Sequence, residues 1–265
     1  MSIAYTPKSR YTMQDLLEIV EMLRRRDGCP WDREQTHASI RNNFIEETYE
    51  VVDAIDRKDT DNLREELGDV LLQVVMHAQM EQEIGRFTFD DVVHDVCFKL
   101  VERHPHVFGA VSAENGEQAL DSWEAVKRRS KQQETYTQTL QSVPMAFPAL
   151  MRAQKVQKRA AKAGFDWPTV DGALDKIREE TEELIGTDAD HRQEELGDLL
   201  FAVVNAARFY KVDSEQALQA ATDKFIARFA QVEELARERG IEMKTASLET
   251  LDVLWDEIKR RNSRQ

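Results

Sequence analysis

The sequence predicts an all-α protein, and three observations support that fold class. Its 265 residues include only 10 Gly and 6 Pro. Low Gly and Pro content, combined with many Glu, Lys, Arg, Leu and Ala residues, favours helices. Apolar residues recur mostly three and four positions apart, which is the period of an amphipathic helix. A chain of this length can form one large domain or two ordinary ones.

The apolar spacing predicts the helices in two sets. The first set covers residues 12–26, 37–57, 60–84, 88–104 and 115–133, and the second covers residues 148–163, 170–186, 190–211, 214–239 and 247–262. Between the sets, the segment from Ser130 to Pro148 is rich in Gln and Thr and has little apolar periodicity. We therefore expect a first domain at residues 1–134, a linker at 135–147 and a second domain at 148–265.

The two sets of helices are interpreted as copies of one unit, because matched landmarks follow the same order in both. The matched pairs are Trp31 with Trp167, Glu47 with Glu180, Glu66 with Glu195, Lys99 with Lys224, and Trp123 with Trp255. The offsets between partners differ by about ten residues, and such differences fall in loops, where insertions are tolerated.

Each copy carries the same acidic pattern on two consecutive predicted helices. The residues are Glu47, Glu50, Glu66 and Asp69 in the first copy and Glu180, Glu183, Glu195 and Asp198 in the second. The two carboxylates of each pair lie one turn apart on one helix face. If the helices are antiparallel neighbours, four carboxylates converge, and they repel strongly unless a multivalent cation lies among them. The pattern therefore predicts a divalent-metal site.

The metal prediction depends mainly on the second acidic pair, Glu-Leu-Gly-Asp. A single Glu-x-x-Glu pair usually lies on a solvated helix face and has no metal role. Glu-Leu-Gly-Asp precedes an apolar run in both copies. Gly in a helix interior costs ~1 kcal/mol relative to Ala, and Asp is also a poor helix former. We interpret Gly68 and Gly197 as permitting close approach of a neighbouring helix, and Asp69 and Asp198 as short metal ligands.

All-oxygen ligation favours Mg²⁺, with Mn²⁺ as a substitute, over iron. Mg²⁺ takes six oxygen ligands and keeps several waters, so four acids leave positions for a phosphate chain and a nucleophilic water. The competing metal prediction is a di-iron carboxylate bundle, which uses Glu-x-x-His pairs. No such pair occurs in the acidic pattern here, and His37, His104 and His106 lie away from it in the sequence.

Basic and aromatic residues of the second copy suit a nucleoside triphosphate. They are Lys176, Lys224, Arg228, Trp255 and Lys259. Taken singly, such residues form weak surface salt bridges or fill helix grooves. Together, the cations can grip phosphates and the indole can stack on a base. The position that matches Lys176 in the first copy is Asn43, so we expect the second half to be the working one.

Bulk properties exclude several classes of partner. A net charge of −14 and a pI near 5.0 argue against binding a nucleic-acid polymer. Cys29 and Cys97 form no CxxC motif, and no secretory signal is evident, which predicts a cytoplasmic protein with reduced thiols. No apolar run approaches the ~18 residues of a transmembrane helix, so we expect no membrane partner.

Five motifs together resemble the MazG family of nucleoside triphosphate pyrophosphohydrolases. They are Gly28-Cys29-Pro30-Trp31-Asp32, Glu46-Glu47-Thr48-Tyr49-Glu50, Glu66-Leu67-Gly68-Asp69, His104-Pro105-His106-Val107-Phe108 and Gly164-Phe165-Asp166-Trp167. The resemblance runs from about residue 12 to residue 262. It implies two tandem MazG-like helical-bundle domains, with bundles that are completed by dimerisation.

The resemblance also implies an activity, which is Mg²⁺-dependent hydrolysis of NTPs and dNTPs to the nucleoside monophosphate and pyrophosphate. It implies that the second-copy acids hold Mg²⁺ in the working half, that the five basic and aromatic residues hold the nucleotide, and that the first-copy acids could serve structure only. We expect a broad base range and a role in clearing nucleotides. The alternative is a non-catalytic acidic helical interaction module with a regulatory nucleotide pocket.

Overall fold

The structure is a computed structural model that describes residues 5–109, 115, 116, 118, 119, 122, 123, 126 and 134–262. Over these residues it contains helices and no strands, so the all-α prediction is confirmed. None of the described helices is both long enough and apolar enough to cross a membrane. The chain divides into two compact units, Met1–Lys127 and Arg128–Gln265.

The first unit is built on a pair of long helices. Its helices are α1 (Met13–Arg24), α2 (Pro30–Glu34), α3 (Arg41–Arg57), α4 (Thr60–Glu83), α5 (Phe89–Arg103) and α6 (Pro105–Phe108). Thr12 and Thr88 begin α1 and α5 through capping boxes, which satisfy backbone N–H groups that have no partner inside a helix. The helix predicted at residues 115–133 lies largely outside the described residues.

The second unit repeats the long helix pair and begins with a helix that the sequence analysis did not predict. Its helices are α7 (Tyr136–Gln141), α8 (Ala149–Lys162), α9 (Val170–Gly186), α10 (Arg192–Phe209), α11 (Ser214–Glu238) and α12 (Leu248–Asn262). Helix α7 lies in the segment 135–147 that was expected to be a linker, and it packs on α8. Arg159 of α8 donates a hydrogen bond to the Ser142 hydroxyl at 2.8 Å. The next residue, Val143, is buried.

Two helix hairpins place the acidic pairs. Only Lys58 and Asp59 separate α3 from α4, and Lys58 takes the left-handed φ of 57° that a tight helix end requires. Residues 187–191 connect α9 to α10, and the Asp188 carboxylate accepts the N–H groups of Asp190 and His191. Within each hairpin the helices pack along their lengths, which is the arrangement of an antiparallel pair.

Each unit has its own buried apolar cluster away from the hairpin acids. In the first unit the cluster joins α1 to α4 through Val20, Ile40, Val75, Met76 and Met80. In the second it joins α11 to α12 through Val232, Leu235, Ala236, Leu254 and Ile258. The α10 helix is held to α8 by Gln157, whose side chain donates to the Phe201 carbonyl at 2.7 Å. The first cluster fixes α4, which carries Glu66 and Asp69, whereas the second lies on helices other than α9 and α10.

Candidate metal and nucleotide site

Three of the four predicted acids of the second unit converge where α9 packs on α10. Glu180 and Glu183 of α9 and Glu195 of α10 each offer a carboxylate oxygen, and these oxygens lie within 4.8 Å of one another. We call these three residues the α9–α10 trio. Asp198 lies about one turn from Glu195, is exposed, and falls outside the trio.

Glu180 is the buried member of the trio, with only 5% of its surface exposed. One carboxylate oxygen, Oε1, accepts an ion pair from Lys176 Nζ at 2.6 Å. The other oxygen, Oε2, is buried and has no hydrogen-bond partner among the described residues. A buried oxygen without a donor is costly unless another group supplies positive charge. Glu180 therefore has an unsatisfied oxygen in a carboxylate that also lies close to those of Glu183 and Glu195.

The three carboxylates of the trio lie close enough together to repel one another. Burial raises the pKa of the Glu183 carboxyl, and the neighbouring Glu180 and Glu195 raise it further. The Lys176 ammonium group contacts Glu179 and Glu180, and these hydrogen bonds raise its pKa well above the usual range. Lys176 stays charged at neutral pH and neutralises only part of the negative charge of the trio.

The first unit repeats the convergence with a different set of three. Oxygens of Glu47, Glu66 and Asp69 lie within 4.8 Å of one another, and all three residues are half-buried. Burial raises the pKa of Glu47 and of Glu66. Glu50 is exposed and outside this group, although its charge raises the pKa of Glu66 further. The two groups of three are not equivalent. In the first unit α4 contributes two acids, Glu66 and Asp69, whereas in the second unit α10 contributes only Glu195.

The trio fits a hard divalent cation. Its donors are all carboxylate oxygens, which Mg²⁺ and Mn²⁺ prefer. The oxygens are close enough to share one ion, and no described residue provides a hydrogen-bond partner for Glu180 Oε2. Iron is a poorer match, because the described members of both trios include no histidine. These acidic clusters could therefore hold a metal ion.

The interpretation of Gly68 and Gly197 as points of close helix approach is wrong for contacts within the described chain. A Cβ atom added at either glycine would meet no other group within 4 Å. Each glycine directly precedes an acid, which is Asp69 of the converging group in the first unit and the exposed Asp198 in the second. Their missing side chains therefore leave open space beside Asp69 and Asp198.

The predicted nucleotide residues fall into two groups. Lys176 lies beside the trio on α9. Arg228 lies between α11 and α12, with its guanidinium carbon 4.8 Å from the ring centroid of Trp255. The Trp255 ring also contacts Phe225 at 5.2 Å, and it packs on the buried cluster of the second unit. Lys224 and Lys259 are exposed on the same two helices.

A histidine network in the first unit was missed by the sequence analysis. His37 Nδ1 lies 2.7 Å from His77 Nδ1, and His37 Nε2 lies 2.7 Å from the buried Glu81 carboxylate. Burial lowers the pKa of His77, and the adjacent His37 lowers it further. The i, i+4 spacing of His77 and Glu81 was a visible signal. The contact with His37, 40 residues away, was not visible in the sequence.

Comparison with known proteins agrees with this geometry. The family model described as the MazG nucleotide pyrophosphohydrolase domain matches residues 35–108 and 169–233, which contain both trios. A nucleoside triphosphate pyrophosphohydrolase of Escherichia coli K12 is 48% identical over 252 residues, covering 92% of this chain and 96% of that protein. The nucleoside triphosphate pyrophosphohydrolase/pyrophosphatase MazG of Thermotoga maritima is 44% identical over 247 residues, covering 93% and 95%. The resemblance seen in the motifs is confirmed, and the chain belongs to the MazG nucleotide pyrophosphohydrolase family.

Proposed function

We propose that the second unit hydrolyses NTPs and dNTPs to the nucleoside monophosphate and pyrophosphate, with a broad base range. One observation supports this most strongly: the buried Glu180 Oε2 has no donor in the described part of the chain, and its carboxylate is one of three that converge. Such a group costs free energy unless a cation binds there. A cation at a carboxylate cluster attracts the phosphate chain of a nucleotide in turn.

In the proposed reaction, Glu180, Glu183 and Glu195 would hold Mg²⁺, or Mn²⁺ as a substitute. When bound, the ion supplies Lewis-acid stabilisation of the phosphate oxygens. A water oxygen forms a bond to the α-phosphorus while the bond from that phosphorus to the bridging oxygen of the β-phosphate breaks. Pyrophosphate leaves with that oxygen, and the proton of the water passes to a carboxylate. Glu183 suits the proton-accepting role, because it is the exposed member of the trio and a water can reach it.

The remaining predicted site residues are assigned by position within this proposal. Lys176 would contact the phosphate chain, and Asp198 would hold the metal through a bound water, because it is exposed beside the trio. Lys224, Arg228, Trp255 and Lys259 would bind the nucleotide from α11 and α12. Glu47, Glu50, Glu66 and Asp69 would bind a metal ion that stabilises the first unit without turnover.

We further propose that the enzyme acts as a homodimer and that the two compact units are its two tandem domains. Apolar side chains of the second unit remain exposed on helices that should be amphipathic, including Leu200 and Phe201 of α10 and Phe225 and Ile226 of α11. An exposed apolar surface of this kind is a common feature of obligate interfaces. The open space at Gly197 would admit a helix of a second copy.

A panel of NTPs and dNTPs with product identification tests the proposed function. Pyrophosphate and nucleoside monophosphate should appear together, should require a divalent metal, and should form with every base. Release of orthophosphate would contradict the assigned bond. Calorimetric binding of a nonhydrolysable NTP with Mg²⁺, in a protein that forms no product, would favour the non-catalytic interaction module instead.

A further inference from the structure

Trp167 lies in the corner between α8 and α9, and its indole packs directly on Gly172. A Cβ atom placed on Gly172 would lie 2.4 Å from Cδ1 and 2.6 Å from Cγ of the indole. The ring therefore occupies the space that a side chain would need, and the first turn of α9 requires glycine there. Trp167 nevertheless keeps 40% of its surface exposed. It is a flat apolar group that is fixed on one side and accessible to solvent.

The packing on Gly172 places the indole on the acid-bearing face of α9. Positions 172, 176, 180 and 183 follow one another at intervals of four, four and three residues, so they share one helix face. Gly172 is eight residues before Glu180, which is about 12 Å along a helix axis, and Lys176 lies halfway. The indole thus precedes the phosphate-contacting lysine by one turn and the buried glutamate by two turns.

The corner that carries Trp167 is attached to the second helix of the candidate site. Arg208 of α10 donates two hydrogen bonds to the carboxylate of Asp166, the first at 2.9 Å, and its side chain is only 12% exposed. Gly164 ends α8 with a φ of 89°, a left-handed conformation that favours glycine. Pro168 follows Trp167 and restricts its backbone. The indole is therefore positioned before a ligand arrives, which lowers the entropy cost of stacking.

Trp167 differs in this respect from Trp255, the aromatic residue that the sequence analysis selected. The Trp255 ring contacts the guanidinium group of Arg228 and the ring of Phe225, and it packs on the buried cluster of the second unit. Other side chains therefore already cover part of the Trp255 ring. Trp167 instead leaves part of its indole open on the face where the phosphates of a nucleotide would lie.

We propose that Trp167 is a further substrate-binding residue, whose indole stacks on the base of a nucleotide held by its phosphates at Lys176 and the α9–α10 trio. This inference rests on the proposed function for the identity of the ligand. Stacking tolerates every base, because each base has a π-face, and larger rings gain more contact area. Trp167 therefore accommodates a broad base range with a preference for purines.

Two ligands separate stacking from general support of the site. One is a nonhydrolysable purine NTP analogue with Mg²⁺, and the other is inorganic tripolyphosphate with Mg²⁺, which has no base. In calorimetric titrations, Trp167→Ala should weaken the affinity for the NTP analogue about tenfold, as expected for one lost stack, and leave the tripolyphosphate affinity unchanged. Trp167→Phe should retain most of the affinity. The matched control is Trp31→Ala, which removes the exposed counterpart in the first unit and should change neither affinity.

A second variant moves the indole without deleting it. Gly172→Ala introduces the Cβ that collides with the ring, so it should reproduce the selective loss of NTP affinity. Binding of the analogue should also quench the intrinsic fluorescence of the wild type, and Trp167→Phe should lose the part of that quench that Trp167 contributes while it still binds. These two readouts do not depend on turnover.

Equal affinity of wild type and Trp167→Ala for the analogue would overturn the inference. So would a parallel loss of NTP and tripolyphosphate affinity, since that outcome means that Trp167 only supports α9. A wild type that binds neither ligand overturns it as well. Failure of the proposed function has a different signature, in which the wild type binds the analogue but releases no pyrophosphate from NTPs. In that case the affinities of wild type and Trp167→Ala for the two ligands still test the stacking role of Trp167.

Discussion

Lys176 Nζ lies 2.6 Å from Glu180 Oε1, while the second oxygen of the same carboxylate is buried and receives no hydrogen bond from the residues that the structure describes. One cation of the protein thus satisfies one oxygen of the carboxylate, and the same carboxylate offers an oxygen within 4.8 Å of oxygens of Glu183 and Glu195. Glu180 can therefore bind Lys176 and a divalent ion at the same time. The proposed site depends on this dual contact.

Glu180→Gln should abolish pyrophosphate release while leaving the helical circular dichroism spectrum intact. The substitution keeps the volume of the side chain but replaces the unpartnered oxygen and its charge, so the metal loses its buried ligand. The matched control is Glu47→Gln, the counterpart in the first unit, which should matter far less. An equal loss of activity in both variants would overturn the choice of the second unit as the working half.

Asp198→Asn should lower pyrophosphate release by about 10- to 100-fold, the range typical of groups that orient a metal's surroundings. Asp198 is exposed and outside the trio, so we expect it to act through a metal-bound water. The apparent affinity for Mg²⁺ should fall in the same assay, and more Mg²⁺ should restore part of the rate. Wild-type activity in this variant would mean that three carboxylates suffice.

Lys176→Met should raise the KM for NTPs about tenfold or more, because it removes a charge-assisted contact to the phosphates and keeps the apolar stem. The control is Arg178→Met on the same helix, which also removes one positive charge. In the described part of the chain Arg178 forms an ion pair with the exposed Asp175, and that pair is mostly solvated. Similar KM values in the two variants would indicate a general charge effect rather than a contact.

Mg²⁺ should stabilise the protein more at about pH 8 than at about pH 5. Burial, followed by neighbouring acids, raises the pKa values of Glu47, Glu66 and Glu183 above the ordinary 4.5. The folded protein therefore holds these protons more tightly than the unfolded chain does. That contribution to stability is fully present below about pH 4.5 and is lost as pH rises through the folded pKa values.

The measurement for this pH effect is thermal unfolding with and without Mg²⁺ at the two pH values. A bound ion replaces the lost protons, so the rise in Tm on adding Mg²⁺ should grow with pH. In Glu183→Gln this growth should be smaller, because one of the three titrating carboxyls is absent. A rise in Tm that is identical at both pH values would contradict the account.

The repeated acidic pattern and helical period were sufficient to predict the all-α fold and the hairpins that bring acids together. Whether Asp198 faces the trio could not be predicted, because the rotation of α10 about its axis is set by its packing on α8, for example through Gln157. Helix α7 was missed because its six residues are too few to show an apolar period.

Other features depend on contacts that a single sequence does not reveal. His37 meets His77 across 40 residues, and nothing in their local sequence requires that pairing. Arg208 holds Asp166 across 42 residues, and this contact fixes the corner that carries Trp167. Each of these contacts follows from how helices pack, which apolar periodicity determines only in part.

The central claim is that Glu180, Glu183 and Glu195 jointly hold the divalent ion at which the triphosphate is cleaved. Anomalous diffraction from crystals grown with Mn²⁺ and a nonhydrolysable NTP tests it most directly. We predict a manganese peak within ligand distance of all three carboxylates and of the phosphate chain. A nucleotide bound with its metal elsewhere, and no peak among these three side chains, would contradict the claim.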